Sequence, residues 1–141
     1  MSLPELDNLV RINQLKAEAS TQAEFDGLVK SGLARLKDVQ QTSLSPESRF
    51  DLAYNAAHAL SLAALRWHGY RSEHRFTVFQ CLTHTLKLSA AQTRILDQAH
   101  KKRNLAEYEG DIEIEASLLT ALIEVTDEVA KRVSALGRVK V

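Results

Sequence analysis

The fold is decided by residues 45–69, which read SPESRFDLAYNAAHALSLAALRWHG. Ser45, Pro46 and Glu47 predict a helix start, because serine caps free backbone N–H groups, proline fits the first helical position and an acid there suits the helix dipole. Gly69 is a typical left-handed helix end. The residues between are apolar around most of the helix circumference, so neighbours must cover nearly every side of it. A five-helix chain of 141 residues is expected to supply only part of this cover, and we infer that a second subunit supplies the rest. The stretch therefore predicts the central helix of a bundle.

The central helix also carries one narrow polar stripe. Its members follow one another at intervals of 4, 3 and 3 residues, which places them on one face: Asp51, Asn55, His58 and Ser61. One interpretation is a thin solvent-facing edge, or polar groups that are hydrogen-bonded within the core. The other interpretation is the wall of a cleft, in which Asn55 and His58 face a ligand.

Helix signals recur along the rest of the chain. Capping boxes, in which a Ser or Thr and a Glu or Gln three residues later cap each other's backbone, begin at Thr21 and Ser89. A further helix is expected to start at Ser72 and to run over Phe76, Val78, Phe79, Leu82 and Leu86. The last helix is expected to start in the acidic run of residues 111–115. The pattern predicts an all-α fold, an up-and-down bundle of four to five helices plus a short N-terminal helix.

The length of 141 residues is that of one domain with a hydrophobic core. We expect residues 21–141 to form the bundle. Residues 1–20 are expected to form an N-terminal helical segment, amphipathic from Leu3 to about Leu15, that packs across the bundle or against a partner.

The composition is that of a soluble globular protein, with 45% apolar and 26% charged residues. No apolar run is long enough to span a membrane, and the first residues, MSLPE, lack the features of a secretory signal. Cys81 is the only cysteine, which favours a reducing cytoplasm and a small buried side chain. Neither a glycine-rich phosphate loop nor metal-ligand spacing occurs, so no metal or cofactor is predicted.

The net charge of zero hides an asymmetry. Between Arg66 and Arg103 the chain holds eight Lys or Arg and two acids, a local charge of +6 that the remaining residues balance. Four of the five histidines lie in this basic block. The block favours an anionic partner such as a nucleotide or RNA phosphate. The alternative is a solvated charged surface beside an acidic neighbour.

The charge changes sign within residues 101–111, which read KKRNLAEYEGD. The basic part, Lys101, Lys102 and Arg103, lies near the end of a predicted helix, and Asn104 follows. Such a polar group at a helix end can hold a phosphate in an all-helical protein. The alternative is that the three cations only complement the helix dipole.

The run Ala-Tyr-Asn-Ala-Ala-His at 53–58, with Arg103-Asn104 downstream, resembles HEPN (higher eukaryotes and prokaryotes nucleotide-binding) proteins over roughly residues 20–135. The resemblance implies a helical bundle that dimerises around a cleft. Active members are metal-independent ribonucleases with an Arg, a short spacer and a His. The Arg steadies the scissile phosphate, and the His is the acid/base for attack by the ribose 2′-hydroxyl. Other members are non-catalytic binders, often encoded with a nucleotidyltransferase in toxin–antitoxin pairs.

The chain departs from that motif at the residue that carries the chemistry. Arg103 matches the Arg and Asn104 the polar residue after it, but the His position is Tyr108. The position of the tyrosine that is modified in some toxin members is Gly110. Tyrosine, with a pKa near 10, is a poor base at neutral pH. His100 shares a helical face with Arg103 and is a candidate substitute base.

These patterns predict a HEPN-like homodimer that binds a nucleotide or RNA phosphate in a cleft. The catalytic-type residues are Arg103, Asn104 and Tyr108, with His100 as the substitute base, and the ligand-binding residues are Asn55, His58, Lys101 and Lys102. Catalysis is expected to be weak or absent, and a nucleotidyltransferase or toxin–antitoxin partner is expected. The alternatives are a metal-independent ribonuclease toxin and a structural module that binds proteins through the basic block.

Overall fold

The computed structural model describes residues 3–110 and 113–140. In this part of the chain the elements are α1 (Pro4–Arg11), β1 (Lys16–Ala17), α2 (Gln22–Val39), α3 (Pro46–Trp67), β2 (Tyr70–Arg71), α4 (Arg75–Gln80), α5 (Leu82–Thr85), α6 (Ala90–Glu109) and α7 (Ala116–Ser134). The predicted all-α bundle is confirmed. None of the described helices is both long and apolar enough to cross a lipid bilayer.

Helix α3 is the central helix, as its sequence predicts. The Ser45 side chain accepts a hydrogen bond from the Ser48 backbone N–H at 3.1 Å, and Gly69 ends the helix with φ of 88°. Helices α2, α4, α6 and α7 pack around α3 and bury most of its side chains. This cover comes from one subunit, so the breadth of the apolar surface does not require a second copy.

Helices α2 and α3 approach each other closely at Gly32. A Cβ atom at this position would lie 2.5 Å from the Leu60 Cγ and 3.3 Å from the backbone oxygen of Ala56. These distances are shorter than normal van der Waals contact, and Gly32 is buried. The absence of a side chain at Gly32 is therefore what allows this packing.

We expect Gly32→Ala to lower the free energy of unfolding by about 1–3 kcal/mol, because the added methyl overpacks the contact with Leu60. Gly27 in the same helix is the matched control, since it is exposed and a Cβ there would meet nothing within 4 Å. Gly27→Ala is expected to gain up to about 1 kcal/mol of helix propensity. Urea unfolding of both variants measures the difference, and equal effects would contradict the close approach.

The predicted third helix is wrong in its extent. It was expected to run from Ser72 to about Leu86, but the chain forms the short helices α4 and α5 with Cys81 between them. A second difference is the predicted start of α7 in the acidic run: the helix begins at Ala116, while Asp111 lies outside the described residues.

The N-terminal segment is shorter and less regular than predicted. Helix α1 ends at Arg11, after which Asn13 adopts a left-handed conformation with φ of 62°. The following β1 pairs antiparallel with β2, an interaction that the helical pattern did not indicate.

Leucines from the N-terminal segment enter a second small core, made of Leu6, Leu15, Leu65, Tyr70, Val78 and Cys81. Cys81 is buried, as predicted, and burial raises the pKa of its thiol to about 11.

A buried arginine near the end of α3 connects these segments. Arg66 is 1% exposed, and its Nε and Nη2 atoms each donate to the Glu24 carboxylate at 3.0 Å. Its other N–H groups donate to three backbone oxygens, those of Glu18 at 2.7 Å, Ala19 at 2.8 Å and Tyr70 at 3.2 Å. All five guanidinium donors are therefore satisfied. Arg66 holds the segment before α2 against the end of α3.

Candidate functional site

Helices α3, α4 and α6 meet around the ring of Tyr54, which is 1% exposed. The guanidinium carbon of Arg103, from α6, lies 5.0 Å from the ring centroid. That of Arg75, from α4, lies 5.4 Å from it. Both distances are in the range of a cation–π contact. We call Tyr54, Asn55, Arg75, His100, Arg103 and Asn104 the arginine–tyrosine cluster.

His100, from α6, is held through both of its ring nitrogens, one toward α3 and one within its own helix. The Nδ1 atom is 2.9 Å from the Tyr54 hydroxyl, and the Nε2 atom is 3.2 Å from the Asn104 Nδ2. Because an amide nitrogen only donates, Nε2 accepts from Asn104 and Nδ1–H donates to Tyr54. The Tyr54 hydroxyl proton then remains available for another acceptor.

The pKa of His100 lies below its usual value. Burial is the main cause, and the positive charges of Arg75 and Arg103 act in the same direction, while Asp97 opposes them. With its pKa below 6.5, His100 is mainly a neutral imidazole at pH 7, which agrees with the amide orientation of Asn104 described above.

Arg75 has a neutral partner. Its Nη1 donates to the Asn55 Oδ1 at 3.1 Å, and the Asn55 amide donates to the Asp51 backbone oxygen at 2.8 Å. Among residues 3–110 and 113–140, no carboxylate forms a salt bridge with Arg75. The positive charge of this half-buried side chain is therefore not neutralised by a neighbour in the described structure.

Arg103 is paired, but only with exposed acids. Its Nε lies 3.3 Å from Asp51, and its Nη1 lies 3.5 Å from Glu107. These acid side chains are 62% and 61% exposed. Exposed pairs of this kind contribute only about 0–1 kcal/mol. An anion that binds both arginines can therefore displace them.

Aromatic side chains complete the surroundings of the cluster. Phe79 lies beneath it, with its ring 5.8 Å from that of Tyr54. Phe76 is 45% exposed, and its ring centroid is 6.0 Å from that of His100. The cluster therefore has an exposed aromatic side chain at its edge.

His58 lies farther along the same face of α3. Its ring is 6.2 Å from the Phe79 ring, and burial together with the nearby charge of Arg75 lowers its pKa to about 4. The polar stripe therefore changes along the helix, because Asp51 is exposed, Asn55 and His58 are half-buried and Ser61 is buried. Its exposed end faces the arginine–tyrosine cluster.

Three of the predicted site residues lie elsewhere. Lys101 pairs with Asp97 at 3.1 Å, and Lys102 pairs with Glu115 at 2.9 Å. Both lysines line a groove of about 630 Å³ between α6 and α7, with Ile95, Leu105 and Leu118 among its apolar residues. Tyr108 is 90% exposed on the last turns of α6. Five helical residues after Arg103 correspond to a rotation of about 140° from it, so Tyr108 faces another direction.

Fewer cations of the basic block are available to bind an anion than its charge of +6 suggests. Arg66 and Arg71 both pair with the acids Glu18 and Glu24. Their charges are therefore part of the fold and not an anion-binding surface. A cavity of about 380 Å³ beside Arg103 does not suit an anion either, because its charged lining also includes three acids, Glu47, Asp51 and Glu107.

The structure thus brings together Asn55, His100, Arg103 and Asn104 from the predicted set, with His58 nearby. Arg75, Phe76 and the central role of Tyr54 were missed. The sequence offered two weak indications: Arg75 lies in the basic block, and Tyr54 is adjacent to Asn55. Within the described ranges, no group of three or more His, Cys, Asp or Glu side chains is placed to hold a metal ion.

No protein-family model matches this chain, and neither a curated protein nor a solved structure does. The HEPN resemblance therefore rests on the residues quoted for it alone.

Proposed function

We propose that this chain binds the phosphate of a nucleotide or RNA at the arginine–tyrosine cluster. The observation that carries the proposal is the convergence of two arginines from different helices on one buried tyrosine. One of them, Arg75, has no carboxylate partner in the described part of the chain, and the partners of Arg103 are exposed. Guanidinium groups bind phosphate through charge-assisted, often bidentate hydrogen bonds.

A HEPN-like role with weak or absent catalysis is part of this proposal. The motif position of the catalytic His is Tyr108, whose ring is 90% exposed and makes no ring or hydrogen-bond contact with the described cluster residues. Tyr108 is therefore poorly placed to act on a phosphate held by Arg103. A chain that binds without cleaving would act with a partner, and we propose a nucleotidyltransferase or toxin–antitoxin partner in a cytoplasmic setting.

A homodimer also belongs to the proposal. The outer face of α6 exposes Leu105 and Tyr108 beside the groove that Lys101 and Lys102 line. Three cations, Lys101 to Arg103, directly precede Leu105, and Glu107 and Glu109 follow it, so an antiparallel pairing of two copies of this part of α6 would place opposite charges against each other. The same face would serve a structural interaction module, the alternative in which the chain binds only protein.

The binding proposal is tested with fluorescently labelled single-stranded RNA by anisotropy at low salt. We expect Arg103→Gln to weaken binding at least about tenfold, because a charge-assisted contact to phosphate is lost. Arg94→Gln is the matched control: Arg94 is exposed on the same helix, and the substitution changes the net charge equally.

A third variant sharpens this test. Asp51→Asn removes an exposed competitor for Arg103 and is expected to strengthen RNA binding by about two- to fivefold. Equal losses for Arg103→Gln and Arg94→Gln would indicate binding by general charge only. Failure of the native chain to bind RNA or nucleotide would sink the proposal.

The ribonuclease alternative is favoured by one observation, the neutral imidazole of His100 next to Arg103. A neutral imidazole can accept the proton of a ribose 2′-hydroxyl once its Nε2 is released from Asn104, whereas a tyrosine hydroxyl is in general a poor base at neutral pH. Cleavage of labelled RNA in EDTA tests this alternative. If it holds, Arg103→Gln and His100→Gln abolish cleavage and Tyr108→Phe retains it; an inactive native chain would exclude it.

A further inference from the structure

Once a bound anion has displaced the exposed acids Asp51 and Glu107 from Arg103, the cluster offers more positive charge than an internal phosphodiester needs. Arg75 and Arg103 supply two fixed charges around Tyr54. His100 can supply a third, because both of its hydrogen-bond partners can accept from an imidazolium: the Tyr54 hydroxyl oxygen at Nδ1 and, after rotation of its amide, Asn104 at Nε2. An internal phosphodiester carries one negative charge, whereas a phosphate monoester carries about 1.5 to 2 at pH 7.

The residues around Tyr54 also favour the end of a nucleic acid strand over its interior. The charged groups surround a tyrosine at the junction of three helices, and only one aromatic neighbour, Phe76, is 45% exposed at its edge. A single exposed ring can stack on one base. The described surroundings of Tyr54 contain no second exposed aromatic ring that would continue a stacked strand.

We propose that the arginine–tyrosine cluster is a site for a terminal phosphate monoester, as in a mononucleotide or at a phosphorylated RNA end, with Phe76 against the adjacent base. The proposal rests on the proposed function and specifies its ligand. Arg75 and Arg103 hold the phosphate oxygens, and the free Tyr54 hydroxyl proton is available to one of them.

Binding of such a ligand is expected to be coupled to a proton. The groups that face His100 are Tyr54 from α3, Arg75 from α4, and Asp97, Arg103 and Asn104 from α6. Burial and the two arginines disfavour a charged imidazole, and the negative charge of a bound dianion beside the ring acts against both. His100 then takes up a proton from solvent, and the protonated ring nitrogen becomes an additional N–H donor within the site. No covalent bond of the ligand changes in this step.

Isothermal titration calorimetry tests the ligand class. One short RNA sequence is compared with a 5′-phosphate, with a 3′-phosphate and with neither, beside a 5′-mononucleotide and inorganic phosphate. We expect at least one end-phosphorylated form to bind about tenfold or more tightly than the unphosphorylated form. Titration at pH 7 in two buffers of different ionisation enthalpy is expected to show more proton uptake in the native chain than in His100→Asn, because both release the same ligand proton when the dianion binds and only the native chain gains one at the imidazole.

Two variants and one control distinguish the base-binding part of the site from its phosphate-binding part. Phe76→Ala is expected to weaken the mononucleotide several-fold and leave inorganic phosphate unchanged, whereas Arg75→Gln weakens both and Arg94→Gln neither. If the native chain binds RNA equally well with and without end phosphates, the terminal-phosphate inference is overturned and the proposed function stands. If neither RNA, mononucleotide nor phosphate binds, both are overturned.

Discussion

Replacement of Arg66 by methionine is expected to lower the free energy of unfolding by about 3 kcal/mol. Methionine keeps much of the side-chain volume but none of the five hydrogen bonds that Arg66 donates. Loss of one partner of a buried ion pair costs about 3–5 kcal/mol, and we expect the lower end because Glu24 is 29% exposed and keeps its pair with Arg71. The three backbone oxygens lose their donor as well.

Thermal unfolding of Arg66→Met should show a midpoint about 10 °C below that of the native chain, given the size of the domain. Arg35→Met is the control, since Arg35 is exposed on α2 and hydrogen-bonds only to Ser31, within its own helix. A change within about 0.5 kcal/mol is expected for the control. Equal stability of the two variants would show that the Arg66 network contributes nothing net to the fold.

The parts of the fold that the sequence predicted are those set by local chemistry. Thr21, Ser45 and Ser89 each cap a helix through a hydrogen bond to a backbone N–H three residues later. Gly69 ends α3 in the expected left-handed conformation. Each of these interactions involves neighbours in the chain, so a sequence pattern is enough to indicate it.

The missed features depend on residues far apart in the sequence. Arg66 and Arg71 look like anion-binding charges in a basic block, but their carboxylate partners Glu18 and Glu24 come from the acidic part of the chain more than 40 residues earlier. The pairing of β1 with β2 has the same origin. Charge counts along the sequence cannot distinguish a cation paired within the fold from one that faces a ligand.

The site was predicted only in part, because some of its residues come from one helix and others from distant parts of the chain. His100, Arg103 and Asn104 share one helix face, so helical spacing alone brings them together. Arg75 reaches the cluster from another helix, and nothing in its neighbours indicates that position. The adjacent Lys101 and Lys102 lie on another face of the same helix, where Lys101 pairs with Asp97 of α6 and Lys102 pairs with Glu115, just before α7.

Acidification from pH 7.5 to pH 5.0 is expected to lower the free energy of unfolding by about 2 kcal/mol through His58. Its pKa in the folded chain is about 4, against 6.5 as the ordinary value. Between these values the unfolded chain binds a proton that the folded chain does not, so stability falls with falling pH and this contribution levels off below about pH 4. Burial also lowers the pKa of His68 and His100, which adds to the loss in the same direction.

Urea unfolding of the native chain and of His58→Gln at both pH values isolates this contribution. The variant has no imidazole to charge at this position, so its loss of stability should be about 2 kcal/mol smaller than that of the native chain. His74→Gln, in an exposed position, should retain the native loss of stability.

The carboxylates Glu18 and Glu24, whose pKa values are lowered by hydrogen bonds from Arg71 and Arg66, lose their contribution to stability only below pH 4.5. A native pH dependence unchanged in His58→Gln would therefore mean that His58 takes up its proton in the folded chain, and that its position beside Phe79 admits water.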